Sequence, residues 1–166
     1  MYGLIKMIRS VVNKFLSKIA SIIPGGKTLR PWLHRQRGVR ISKNVWISQY
    51  VYIDEPHPEN VIIKENVSIG LRSTIFTHLY WGKKGPDDKV GKVIIEKNVY
   101  IGPHCVILPN VTIGEGSVIV AGTVVSKNVP ANVLYGHSPA TALARVTHPL
   151  IEGVSYEKFL LGLRKI

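Results

Sequence analysis

Six histidines, one cysteine and ten carboxylates are the side chains of this 166-residue chain best able to move a proton, hold a metal or attack a carbonyl. An imidazole titrates near neutrality, so each histidine is first a candidate general base or acid. His78 stands apart because it opens a long segment, His78 to Lys92, that interrupts an otherwise strict repeat and contains Trp81, Gly82, Gly85 and Pro86. Insertions ejected from a rigid scaffold are where function tends to sit. His104 follows that segment on an outward-pointing position, where it lines a cleft or meets solvent. His34, His57, His137 and His148 have no partner spacing and are expected on the surface. No Cys/His cluster has zinc spacing, so no metal is expected. Cys105 falls in register with Val99 and Val111, which makes it a packing residue rather than a nucleophile. A lone cysteine cannot form an internal disulfide and points to a reducing, cytoplasmic setting.

The scaffold that positions these residues is written as a six-residue period. From residue 93 the pairs run Val93/Ile95, Val99/Ile101, Cys105/Ile107, Val111/Ile113, Ser117/Ile119 and Thr123/Val125. Val39/Ile41, Val45/Ile47 and Val51/Ile53 keep the same step, as do Val61/Ile63, Val67/Ile69 and Ser73/Ile75. Alternation at two indicates a strand with one face inward, and recurrence at six means a short strand, a corner and the same strand again. A helix cannot give this period, because its faces recur at 3.6. Asn-Val dipeptides begin at Asn44, Asn60, Asn66, Asn98, Asn110, Asn128 and Asn132, and asparagine tolerates the left-handed backbone of a tight corner. The expectation is a parallel solenoid with two interruptions, one between Ile53 and Val61 and one between Ile75 and Val93.

Charge is unevenly placed. The net charge is +12, yet residues 1–53 hold ten Lys or Arg and no acid, whereas the rest is near neutral. Such asymmetry suggests a partner surface. Residues 4–23 place Leu4, Ile5, Ile8, Val11, Val12, Phe15, Leu16, Ile19, Ile22 and Ile23 at helical spacing with Lys6, Arg9, Lys14 and Lys18 between them, and Pro24-Gly25-Gly26 ends the segment. This basic amphipathic helix suits an anionic membrane surface, reached through residues 1–23, or packing on its own assembly. It is too interrupted by charge to span a bilayer. The inner face of the plasma membrane is therefore a candidate attachment for an otherwise cytoplasmic protein. No nucleic-acid motif accompanies the charge. Three parts are expected: residues 1–30 as helix and linker, 31–146 as solenoid with the 78–92 excursion, and 147–166 ending in a short amphipathic helix.

The run IIEKNVYIGPHCVILPNVTIGEGSVIVAGTVVSKNVPANVLYGHSPA resembles the C-terminal half of the hexapeptide-repeat acetyltransferases, a group that includes maltose and galactoside O-acetyltransferases. LHRQRGVRISKNVWISQYVYIDEPHPENV and IFTHLYWG are similar to polysaccharide- and lipopolysaccharide-associated members. The resemblance implies a left-handed parallel β-helix, a homotrimer with active sites between subunits, and acetyl-CoA as co-substrate. It implies His78 as general base. Tyr100 in VYIG matches the family residue beside the CoA arm, and the Gly102, Ala121 and Gly122 backbone matches the stretch along the pantetheine. The closing motif is Gly136-His137-Ser138-Pro139-Ala140-Thr141, so Pro139 and Ala140 are cofactor-side candidates. Ser138 replaces an Asn, and Thr141 stands where a base often meets the CoA phosphates, leaving Lys127 or Arg145 to compensate. For a saccharide acceptor the candidates are Asp54, Glu55, Tyr80, Trp81 and His104. The group orienting His78 is open among the carboxylates Asp54, Glu55, Asp87 and Asp88 and a backbone carbonyl.

The leading reading is O-acetylation of a surface polysaccharide or its precursor, by direct transfer. N-acylation of a nucleotide-linked amino sugar keeps the same fold. A non-catalytic membrane-associated trimeric scaffold is the reading from another class. A γ-type carbonic anhydrase shares the scaffold but needs two histidine ligands five residues apart, and no such pair occurs.

Overall fold

The computed structural model describes residues 2–79, 89–136, 141–151 and 153–166, with side chains from Met7 onward. Every second residue of the repeat turns inward. Both members of every pair named above are buried except Ile41, which lies on the first strand of the stack. Twelve short strands result: β1 (Arg40–Ile41), β2 (Trp46–Ile47), β3 (Tyr52–Ile53), β4 (Val61–Ile63), β5 (Ser68–Ile69), β6 (Thr74–Ile75), β7 (Val93–Ile95), β8 (Tyr100–Ile101), β9 (Val106–Ile107), β10 (Val111–Ile113), β11 (Val118–Ile119) and β12 (Val124–Val125). Every third strand returns to the same sheet. The sheets are β1-β4-β7-β10 (face A), β2-β5-β8-β11 (face B) and β3-β6-β9-β12 (face C), all parallel. The chain is thus a three-sided coil around one aliphatic column.

Corners follow from backbone geometry. Asn44, Asn66 and Asn98 have φ of 55°, 58° and 61° at the A-to-B edge, and their amides form a ladder: Asn44 Nδ2 to Asn66 Oδ1 at 3.4 Å, then Asn66 Nδ2 to Asn98 Oδ1 at 3.0 Å. Stacked amides satisfy one another where side chains without a polar group would leave the edge unsupported. The B-to-C edge carries Tyr50, Arg72, His104 and Gly122, all at positive φ. Inside it, polar atoms are used locally. Ser73 Oγ donates to Gly102 O at 2.9 Å, and the buried Cys105 thiol donates to Val120 O at 3.2 Å.

A parallel stack leaves the carbonyls of its first coil without a preceding coil to bond. A helix that the sequence reading missed, α2 (Leu29–Gln36), covers them. Arg35 donates to Ile41 O and Ser42 O on face A, Arg30 to Ile47 O on face B, and Arg37 to Ile53 O and Asp54 O on face C. Guanidinium groups are donor-only forks, so one arginine per face supplies the missing N–H groups. Part of the N-terminal positive charge is therefore structural, in addition to whatever partner surface the asymmetry suggests. The helix α1 (Tyr2–Ile22) packs beside α2, ahead of a solenoid that begins at Arg40 and not at residue 31.

The far end also departs from expectation. After β13 (Val133–Gly136) the chain reverses: β14 (Thr141–Val146) runs antiparallel to it, so the coils stop before residue 146. The C-terminal segment is a helix only over α3 (Tyr156–Leu161) and then forms β15 (Leu163–Lys165) against β14. Gly162 makes that switch possible, since a Cβ there would fall 2.7 Å from His148 Nδ1.

Candidate active site

Both interruptions leave the stack at the same place. The first follows β3 and the second follows β6, the two face-C strands paired as Tyr52 with Thr74 and Ile53 with Ile75. The register offset is 22 residues, so Asp54 at the start of one insertion lies one coil away from the Phe76–His78 start of the other. Stacking delivers the pairing: His78 Nδ1 lies 2.6 Å from Asp54 Oδ2.

Asp54 is fully enclosed, with a side-chain exposure of 0%, and His78 retains 12%. Burial of a carboxylate is costly unless donors surround it. Here the Thr77 N–H donates to Oδ2 at 2.8 Å and the His57 N–H to Oδ1 at 3.0 Å. Both backbone donors and the imidazole converge on a carboxylate that serves them as acceptor, which places the His78 proton on Nδ1 and leaves Nε2 as its basic nitrogen. The Gly91 N–H closes the base of the second insertion on Thr77 O at 2.7 Å.

Beneath this pair lies a second buried group. Arg37 Nη2 donates to the carbonyls of Ile53 and Asp54, each at 2.9 Å, and Arg37 Nη1 donates to His34 Nδ1 at 2.9 Å. Both side chains are fully buried. Burial, with the Arg37 charge added, pushes the His34 imidazole down to about 3. Burial also lowers Arg37, while nearby Glu55, Tyr52 and Asp54 act in the opposite sense. Tyr52, raised chiefly by burial, stacks on Phe76 with ring centroids 5.7 Å apart.

These contacts revise several expectations. Asp54 has no surface with which to meet an acceptor; it orients His78. Glu55 is half-buried near Arg37. His34 lies in the core rather than on the surface. His57 is half-buried with its ring 6.0 Å from that of His78, edge to face, and its Nδ1 is 3.7 Å from Glu59 Oε1. A signal for His57 existed, because both insertions follow a face-C strand and must share a corner. His148 is exposed, and the Cys105 thiol is buried and pushed up by burial. Tyr80, Trp81, His137, Pro139 and Ala140 lie outside the described residues, as do Asp87 and Asp88.

The remaining candidates are not gathered around His78. Ala121 and Gly122 are exposed at the B-to-C edge, with His104 one coil earlier. A Cβ on Gly122 would meet nothing within 4 Å, whereas one on Gly102 would fall 2.6 Å from Ala121 N. Lys127 follows β12 and Arg145 sits on β14, both exposed. Tyr100 lies on face B, bordering a groove of about 670 Å³ with Lys27, Trp46, Asn66, Leu150 and Tyr156. In a three-sided coil face B is opposite the C-to-A corner, so this groove and His78 lie on opposite sides of one chain. Among the described residues no group of three or more His, Cys, Asp or Glu side chains could hold a metal.

The bacterial transferase hexapeptide (six repeats) family matches residues 92–127. The chain is 32% identical over 139 residues to the Bacillus subtilis (strain 168) protein named "Putative acetyltransferase YvoF", covering 83% of this chain and 78% of that one. It is 35% identical over 88 residues to the galactoside O-acetyltransferase of Escherichia coli (strain K12), covering 53% of this chain and 42% of that enzyme. Other relatives match over 25% to 32% of their own length. Among solved structures, a hexapeptide-repeat acetyltransferase of Vibrio cholerae complexed with acetyl coenzyme A has the same fold. It superposes with a TM-score of 0.70 at 22% identity, over 86% of this chain and 89% of that one. The repeat, the stacked coils and the long match to YvoF together place this chain in the hexapeptide-repeat family of CoA-dependent acyltransferases.

Proposed function

We propose that this protein transfers the acetyl group of acetyl-CoA directly to a hydroxyl of a surface polysaccharide or its saccharide precursor, with His78 as general base. The observation that carries this reading is the buried Asp54 bonded to His78 Nδ1 at the corner where both insertions stack. That contact fixes the tautomer and leaves Nε2 as the nitrogen that can take a proton. As the acceptor oxygen bonds to the thioester carbonyl carbon, His78 Nε2 takes the hydroxyl proton. When the carbon–sulfur bond breaks, the imidazolium returns that proton to the departing CoA thiolate. No acyl-enzyme is needed, and the buried, raised Cys105 thiol is poorly suited to form one.

The coil is read as left-handed and the assembly as a trimer. The separation of His78 from the other candidates supports this reading, because a neighbouring copy can bring a second face to His78. In this arrangement the open backbone at Ala121-Gly122 lies along the pantetheine and Tyr100 packs near it, with Gly102 setting the depth of the corner. Exposed Lys127 and Arg145 are available to the CoA phosphates. Glu55, His57 and His104 are placed on the acceptor side. The relative named galactoside O-acetyltransferase supports a sugar hydroxyl as acceptor.

The test is release of CoA thiol from acetyl-CoA against a panel of oligosaccharides and amino sugars, with the product then treated with mild alkali. An acetyl ester is cleaved and an acetamide survives. Alkali-labile product from wild type supports the reading; alkali-stable product assigns the chemistry to an amine. No turnover with any acceptor, together with no thermal stabilisation by acetyl-CoA, favours the scaffold.

A further inference from the structure

We propose that the outward face of α1 docks on an anionic phospholipid bilayer. A helix on a folded domain ordinarily turns its apolar stripe to the core. This one does the reverse. Among its described side chains the buried ones are the small residues Ser17 and Ala20, with Leu16 and Ile19 half-buried, whereas Ile8, Val11, Val12, Phe15 and Ile22 project outward. At 100° per residue, those five fall within one stripe roughly 100° wide, and the Ser17–Ala20 side lies across the helix from it. Val11 and Phe15 are 62% and 64% exposed. Large side chains left contiguous on a surface mark a contact site.

Charge selects the occupant. Lys14 and Lys18 border one edge of the stripe, Arg9 lies beyond the other, and no acid occurs before Asp54. Two copies apposed through this stripe would bring Lys14 and Lys18 against their equivalents, with no acid on α1 itself to offset them. An anionic lipid surface complements both features at once: it takes the apolar stripe to the acyl boundary and the lysines to the headgroups. No described helix is long and apolar enough to cross a membrane, so the contact is one of lying on the surface. The stripe runs parallel to the helix for about 20 Å, from Ile8 to Ile22. The inference does not rest on the acyl-transfer reading.

The test is flotation of the full-length protein with vesicles of phosphatidylcholine alone and of two parts phosphatidylcholine to one part phosphatidylglycerol. Wild type is expected to float with the mixed vesicles and remain behind with the neutral ones. Lys14→Gln with Lys18→Gln lowers partitioning by roughly tenfold or more, and raised salt acts in the same direction. Val11→Ser with Phe15→Ser abolishes flotation without lowering the melting temperature, since both residues are already exposed. Wild type that ignores the mixed vesicles overturns the proposal. So does a Val11→Ser/Phe15→Ser protein that floats as wild type does but falls to a lower oligomer by light scattering, which would assign the stripe to a second copy.

Discussion

Residues 93–128 and the corner formed by residues 54–60, 76–79 and 89–92 are built on the same column of isoleucines but solve opposite problems. In the first region successive coils are 18 residues apart, as in Val93 with Val111 and Val106 with Val124. Its interior is aliphatic, with polar atoms only at edges. In the second, the offsets grow to 22 and 32 residues, and the extra chain brings a buried carboxylate and two imidazoles together over the buried Arg37 of the cap. Regular coils maximise burial and bond their backbones coil to coil; the irregular corner places polar groups where a hexapeptide has no room for them. Function is expected where the period fails, and stability where it holds.

The largest effect is expected in the regular coils. Ile107→Ala removes a fully buried side chain and is expected to cost about 2–5 kcal/mol of unfolding free energy by denaturant titration, without changing the catalytic rate of the folded fraction. Next comes the irregular corner. Asp54→Asn presents an amide N–H to groups that are themselves donors, and is expected to lower turnover by about a hundredfold or more. Acetyl-CoA should still stabilise the variant. If Asp54→Asn leaves turnover within a few-fold of wild type, His78 does not act through that contact.

Smaller effects probe the cap beneath. Arg37→Gln leaves two carbonyls and His34 Nδ1 short of donors and is expected to cost about 2 kcal/mol or more of stability. The least effect is pH-dependent. The His34 pKa is about 3 when folded against an ordinary 6.5, so the unfolded chain binds more protons below 6.5. Its neutral burial is therefore harmless above that value and becomes increasingly destabilising as pH falls toward 3. Between pH 6.5 and 5 this group alone accounts for about 2 kcal/mol, and His34→Gln should flatten that part of the stability profile. Equal acid sensitivity in both proteins would show that other groups set it.

What could be read in advance follows the same division. The coils were legible because a rigid period leaves its mark on every sixth residue. His78 was legible because it begins the longer break. Asp54 stands among several candidates for orienting His78, and the choice was not legible because its proximity to His78 depends on register across a 24-residue separation. Two breaks after strands of one face would have disclosed it. The helix α2 was not legible: LRPWLHRQ has a proline and no clear apolar stripe, and its arginines serve carbonyls rather than a core. The same arginines made the N-terminal charge look wholly external. At the far end, an amphipathic pattern in SYEKFLLGLRKI suggested helix to the terminus, where Gly162 and pairing with β14 instead end it early.

The most direct measurement of the central claim is turnover and acetyl-CoA-induced thermal stabilisation of His78→Ala beside wild type. A positioned base contributes about 10²–10⁴-fold, so the variant should lose that much in rate while acetyl-CoA raises both melting temperatures equally. A His78→Ala protein that transfers acetyl within a few-fold of wild type would contradict the account and move the base elsewhere.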